Sequence, residues 1–360
     1  MKIKRIFLLL SILLLGIALS ACSSASTTNA WSGVAATDTA AYFTNANALI
    51  AVKADSGSEI WSYPPQSTSK GLFAAASTRY FSAPPVIVGE QLIVGDYSGT
   101  LSSISTRDGA EQWNFTGATG RYIDAPLVVN DTIVAQNADG SIHALDLNGS
   151  VLWSYKGQYA FWSTPVSDGT TVFAPSMDHF LYALNLADGT LKWKKDLNGP
   201  LVGRVLLTQD GTLYVGNLNG ELFALKAEDG SILWSQTLKS GLWSAPTQVE
   251  DKLYIGDQAG NIYVLNASDG STVSSLEIGS AILGSGVLMG DKIAFGDENG
   301  EVIVIGLDGS RAWTRTLTGK IYSNLVYAGD QLYVLTTKGD QPLHVFDANG
   351  NEIWNYSTKK

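Results

Sequence analysis

The chain has 360 residues, a formal net charge of -10, 45% hydrophobic and 16% charged residues, a composition that supports a substantial core and excludes a disordered or collagen-like chain. Its 23 basic against 33 acidic residues leave no broad cationic face for nucleic acid. The single cysteine, Cys22, excludes an intrachain disulfide and a cysteine-rich metal site, and the scattered His143, His179 and His344 suit neither a multi-histidine metal site nor a histidine triad.

In chain order, a short basic segment (Lys2, Lys4, Arg5) precedes an apolar run from Ile6 to Leu19 broken only by Ser11 and Gly16. That is the pattern of a secretion signal, of marginal length for a membrane span. Leu19-Ser20-Ala21-Cys22 resembles the lipobox of bacterial lipoproteins. The resemblance implies a signal peptide over residues 1–21, cleavage before Cys22 and diacylglycerol on its thiol; an ordinary signal peptide followed by an incidental cysteine is the alternative. Residues 22–30 then form a lipidated, polar tether. Ser23, in place of aspartate, resembles the outer-membrane sorting pattern of two-membrane cells; in a cell with one membrane the same anchor places the protein on the outer surface.

From residue 31 onward a turn glycine followed four residues later by tryptophan recurs: Gly57 and Trp61, Gly109 and Trp113, Gly149 and Trp153, Gly189 and Trp193, Gly230 and Trp234, Gly309 and Trp313, Gly350 and Trp354. Gly270 belongs to the same series, with Ser274 in the tryptophan position, and successive glycines stand 52, 40, 40, 41, 40, 39 and 41 residues apart. Each copy holds four apolar pieces too short for helices, separated by turn signals such as Glu250-Asp251, Ala259-Gly260 and Asp269-Gly270. Such a copy reads as a four-stranded antiparallel meander that cannot bury both faces alone. Eight in a ring can. The expected fold is all-β, one eight-bladed β-propeller over residues 31–360 with contiguous blades at about 31–63, 81–115, 122–155, 162–195, 202–237, 243–277, 283–316 and 322–356, and no swapped closing strand. Residues 64–80 form a long interblade linker expected outside the sheets, and a seven-bladed ring excluding residues 31 to 80 is the structural alternative.

Ala183 to Trp193 (ALNLADGTLKW) resembles the tryptophan-docking motif of quinoprotein, or PQQ-like, propellers, with Ala51 to Trp61 and Ala224 to Trp234 as further copies. The resemblance implies a structural docking role for Trp61, Trp113, Trp153, Trp193, Trp234, Trp313 and Trp354. Within that class the lipobox, the length and the eight blades are similar to the BamB-type lipoproteins of the β-barrel assembly machinery. This implies a monomeric, non-catalytic scaffold, anchored in membrane lipid through acylated Cys22 on the periplasmic side of the outer membrane, with an envelope protein as partner. An extracytoplasmic glycan- or small-ligand-binding propeller is the alternative, followed by a PQQ-dependent oxidoreductase. Quinoprotein dehydrogenases, however, carry adjacent cysteines over the quinone and a calcium-ligand set, which this sequence does not match. No catalytic, cofactor-binding or metal-binding residue is assigned.

Candidate partner-binding residues come from the innermost strands. Three residues before the usual proline stand Trp31, Phe81, Ile123, Trp162, Val202, Trp243, Leu283 and Tyr322, followed mostly by serine or glycine, as expected where strands converge on an axis. Of these, Trp31, Phe81, Trp162, Trp243 and Tyr322 form either an aromatic rim at the channel mouth or the top layer of interblade packing. Asp124 and Arg204 interrupt the small-residue pattern, and charges near the axis must be paired or wet.

Overall fold

A computed structural model of the chain describes residues 32–65, 79–81, 83–337 and 340–358. All regular structure among them is strand, in eight four-stranded antiparallel sheets whose strands pair in sequence order. The sheets span residues 34–63, 86–115, 127–156, 166–196, 206–237, 247–277, 287–316 and 326–356. Every blade is therefore contiguous and none lends a strand to its neighbour. Residues 64, 65, 79 and 80 lie outside the sheets; the remainder of the long linker falls outside the described residues.

The burial of each strand follows from its distance to the axis. The second and third strands, such as Lys252–Gly256 and Asn261–Asn266, are buried along almost their whole length because a neighbouring blade covers each face. The fourth, as in Ile232–Thr237, alternates between exposed and half-buried residues at the rim of the ring. The apolar clusters consequently lie between blades: Tyr214, Leu222 and Ala224 of the fifth blade pack with Leu253, Ile255 and Tyr263 of the sixth.

Glycine and tryptophan meet across these junctions. In every blade the pairing of the third and fourth strands slips by one residue beside the tryptophan position, for example between Ala144 and Leu145, a bulge that re-aims the side chain. Each indole lies on the turn glycine of the next blade, so close that a Cβ on Gly189 would stand 2.5 Å from the Trp153 ring. Its N–H donates to a carbonyl two or three residues before that glycine, as from Trp61 to Thr106 at 2.9 Å, Trp113 to Leu147 at 2.9 Å, Trp153 to Leu186 at 2.7 Å, Trp193 to Ala227 at 3.2 Å, Trp234 to Ala267 at 2.9 Å and Trp313 to Ala348 at 3.1 Å. In the sixth blade Ser274 Oγ faces Gly309 instead, and the corresponding carbonyl, Leu307 O, accepts only the Tyr254 hydroxyl at 2.7 Å among the described residues.

Side chains close the ring. Trp354 of the eighth blade lies on Gly57 of the first and donates to Ala54 O at 2.8 Å. Below it Phe43 and Tyr356 meet edge to face at 5.2 Å, within a cluster that includes Ile50, Val52, Tyr333 and Val345.

Candidate functional site: the channel mouth

The linkers between blades converge on one mouth of the axial channel. Ile123, Trp162, Val202, Trp243, Leu283 and Tyr322 line it, one from each of the third to eighth blades. Aliphatic and aromatic side chains alternate around this arc, so a large group sits between two smaller ones where the circle is tight. Val202, Leu283 and Tyr322 are buried, whereas Ile123, Trp162 and Trp243 remain half-buried at the opening. The Lys320 ammonium stands 5.6 Å from the Tyr322 ring centre, which puts positive charge beside the aromatic edge.

Phe81 departs from the expected series. It is 1% exposed and packs with Tyr63, Leu92 and Val94 between the first two blades. The cause is the dipeptide Pro84-Pro85: strand register aligns Pro85, and not Pro84, with Pro246, since Val88 pairs with Gln91 as Val249 pairs with Lys252. Phe81 thus belongs one position earlier, with Tyr122, Phe161, Leu201, Leu242, Ile282 and Ile321, all at most 2% exposed. By the same count the second blade's residue in this series is Ser82; Ser82, Trp31 and Cys22 lie outside the described residues.

Asp124 and Arg204 meet across the mouth, skipping the fourth blade. Arg204 Nε donates to Asp124 Oδ2 at 2.8 Å and Nη2 to Oδ1 at 2.5 Å, a bidentate pair that fixes both planes. The backbone N–H of Thr164 donates to Oδ2 at 2.9 Å, tying in the intervening blade, and that of Ala125 to Oδ1 at 2.8 Å. Burial pushes the Asp124 carboxyl up, but the Arg204 charge and the hydrogen bonds outweigh it and hold the group below the ordinary carboxylate range. The Arg204 side chain remains 34% exposed, so the pair is reachable from the opening.

Hydroxyls and amides complete the floor. Ser163 Oγ donates to Gly203 O and Thr164 Oγ1 to Ala125 O, both at 2.8 Å, and Asn324 Oδ1 accepts the Ser285 N–H at 2.7 Å, so each contact spans adjacent blades. Ser244 Oγ and Ser323 Oγ are buried without a hydrogen-bond partner among the described residues. The space enclosed is about 60 Å³, well under the roughly 300 Å³ at which small-molecule pockets begin. What the site offers is an opening edged by two indoles above a fixed ion pair, suited to a protruding side chain.

The histidines stand elsewhere. His143 Nδ1 lies 2.8 Å from Ser154 Oγ, with burial lowering its pKa, and His344 Nδ1 lies 2.7 Å from Glu352 Oε1. His179 is an exposed turn residue at φ +78°, where the matching turns place Gly220 and Gly260. Among the described residues no group of three or more His, Cys, Asp or Glu stands close enough to hold a metal ion.

A family model described as outer membrane protein assembly factor BamB matches residues 23–178, 178–277 and 258–360. Among curated relatives carrying that name, the protein of Shewanella oneidensis is 25% identical over 232 residues, 60% of this chain and 56% of its own. That of Moranella endobia is 26% identical over 177 residues, 45% of this chain and 44% of its own, and that of Escherichia coli K12 is 29% identical over 156 residues, 40% and 39%. The chain thus spans about half the length of these relatives. The crystal structure of BamB from Moraxella catarrhalis superposes with a TM-score of 0.73 at 19% identity, over 89% of this chain and 94% of that one. The computationally designed Ika8 protein superposes equally well, with a TM-score of 0.74 at 14% identity over 87% and 94%, so these structural likenesses concern the fold alone. By the family match along nearly its whole length, the chain belongs to the BamB family of outer membrane protein assembly factors.

Proposed function

We propose that the chain is a non-catalytic scaffold of the cell envelope, held at the periplasmic side of the outer membrane by a lipid on Cys22, and that it assists assembly of outer-membrane β-barrel proteins by docking a component of that machinery. The observation that carries this reading is the channel mouth: half-buried Trp162 and Trp243 beside a bidentate Asp124–Arg204 pair, a rigid aromatic surface with little room for a cofactor. Trp and Arg are the residue types that most often dominate binding energy at protein interfaces. Asp124 keeps the guanidinium in one orientation, so that an incoming acceptor meets fixed donors. A tether near a membrane-bound partner raises the effective concentration and lets a modest interface suffice.

The test replaces Trp162 and Trp243 separately by alanine, then measures thermal unfolding and recovery of β-barrel assembly components after crosslinking. Retained folding with lost recovery supports the proposal. Loss of folding in both variants, or unchanged recovery at wild-type yield, contradicts it and leaves the two indoles as packing.

A further inference from the structure

Seven of the eight interblade junctions are crossed by a linker, held the same way each time. The carbonyl of a linker residue accepts a backbone N–H from the turn between the second and third strands of the following blade, as from Tyr97 to Tyr80 at 2.8 Å and Gln258 to Gly241 at 3.0 Å. The first and eighth blades are not consecutive in sequence, so no linker crosses between them.

The first linker does more than cross. Its Arg79 reaches into the groove between the first two blades and donates to the Tyr63 hydroxyl, to Glu111 Oε2 at 2.9 Å and to Ser102 Oγ at 3.2 Å, with Asp96 Oδ2 at 3.6 Å. Tyr63 in turn donates to the same Glu111 carboxylate. Strand register gives each partner a counterpart at the junction of the eighth and first blades. Tyr63 and Tyr356 both stand two residues after the docking tryptophan, Glu111 and Glu59 two before it, Ser102 and Ile50 at matching third-strand positions, and Asp96 and Asn45 at the start of the turn.

These four counterparts, Tyr356, Glu59, Ile50 and Asn45, all line a cavity of about 450 Å³ at that seam. Tyr356 donates to Glu59 Oε2 at 2.7 Å, repeating the Tyr63–Glu111 pair. The tyrosine–glutamate combination occurs at these two junctions of the eight; elsewhere the positions read, for example, Phe115 with Val151 or Gln236 with Thr272. At one junction the pair holds a guanidinium. At the other the same tyrosine–glutamate pair borders a groove that is open among the described residues, with Ile50 and Asn45 in place of Ser102 and Asp96.

We propose that the seam groove is a receptor for an arginine carried by an extended segment of a partner protein, seated as Arg79 is seated between the first two blades. The partner segment has an arginine followed by a large apolar residue two positions later, the pattern of Arg79-Tyr80-Phe81. Glu59 is exposed and supplies the charge complement, while Ala46 at the neighbouring turn stands where Tyr97 donates its backbone N–H to the Tyr80 carbonyl beside Arg79. The segment entering the first blade, Ser23 to Trp31, has no cation to place there. The cations nearest in sequence, Lys359 and Lys360, carry compact ammonium groups in place of the planar fork that Arg79 presents. This inference uses the scaffold reading only for the partner's biological role; binding at the groove is measurable on the purified chain, so either can fail alone.

The test is fluorescence anisotropy with a dye-labelled synthetic peptide of residues Ser77 to Pro85 and the purified full chain. Saturable binding is expected, weakened at least tenfold by Glu59→Gln or Tyr356→Phe in the protein, and equally by alanine or citrulline for the arginine in the peptide. The peptide variants leave the fold untouched, so a loss there cannot come from misfolding. Binding that is absent, or that ignores both Glu59→Gln and the peptide substitutions, overturns the proposal. So does binding that appears only after Lys359 and Lys360 are deleted, which would make the chain's own tail the occupant.

Discussion

Trp153→Ala probes the adhesive between blades at its best-formed junction. The Trp153 side chain is 7% exposed, lies on Gly189 and donates to Leu186 O at 2.7 Å. An indole buries roughly 200 Å², which at about 25 cal/mol per Å² is worth about 5 kcal/mol, reduced to about 3–4 kcal/mol by residual compactness of the unfolded chain. The hydrogen bond adds about 1 kcal/mol. The expected loss is therefore about 4 kcal/mol, inside the range for large-to-small aromatic substitutions. At roughly 2 °C per kcal/mol for a domain of this size, the unfolding midpoint falls by about 8 °C, as read by calorimetry or circular dichroism. Trp153→Phe keeps most of the ring body but leaves the carbonyl unpaired, and costs about 1–2 kcal/mol. A shift below about 2 °C for Trp153→Ala, or equal shifts for both variants, refutes the assignment of interblade cohesion to the indole and its hydrogen bond.

Ser274→Trp restores the indole missing from the sixth blade, and because Leu307 O accepts one hydrogen bond where Ala267 O accepts two, the variant is expected to raise stability by about 1 kcal/mol; a lower unfolding midpoint would contradict this. Asp124 has a lowered folded-state pKa, so its contribution is present above the unfolded value near 4 and is lost as pH falls through the folded one. Asp124→Asn is expected to cost about 1–3 kcal/mol at pH 7, discounted for the exposure of Arg204, and to flatten the acid limb of a stability-versus-pH curve. Asp297 behaves oppositely: burial raises its pKa, and its Oδ2 is buried without a hydrogen-bond partner among the described residues, so its contribution is present below the unfolded pKa and lost as pH rises through the folded one. Asn137 and Asn217 occupy the same turn position and donate to linker carbonyls, so Asp297→Asn is expected to stabilise the chain by about 1 kcal/mol at pH 7, with the gain vanishing near pH 4 in denaturant titrations. Cys22→Ser is expected to abolish labelling by radioactive fatty acid with no change in unfolding midpoint, and unchanged labelling would remove the lipid anchor from the account.

The blades were legible in the sequence because the contact that joins them is written twice per repeat, as a glycine and as a tryptophan that lies on the glycine of the following blade. The glycine supplies both positive φ and the missing Cβ, so its position tolerates little drift. The mouth was legible in part. Ile123, Trp162, Val202, Trp243, Leu283 and Tyr322 follow from counting back from the strand start, but the count slipped at Pro84-Pro85, where two prolines satisfy the same local pattern and only cross-strand pairing separates them. The pairing of Asp124 with Arg204, 80 residues apart, depends on the curvature of the ring, which brings alternate blades together at the axis. The seam groove is more remote still from sequence reading. Glu59 and Tyr356 lie at opposite ends of the chain, and their kinship to Glu111 and Tyr63 emerges only once ring closure is seen.

The most direct test of the scaffold account is site-specific photocrosslinking in intact cells, with a photoreactive amino acid at position 162 or 243 and, as control, at exposed Val273 on the outer rim. The account predicts adducts from the mouth positions to a β-barrel assembly component, identified by mass spectrometry, and none to that protein from position 273. Adducts to it from position 273 alone, or none from the mouth while the chain is folded and membrane-associated, would contradict docking at the channel mouth.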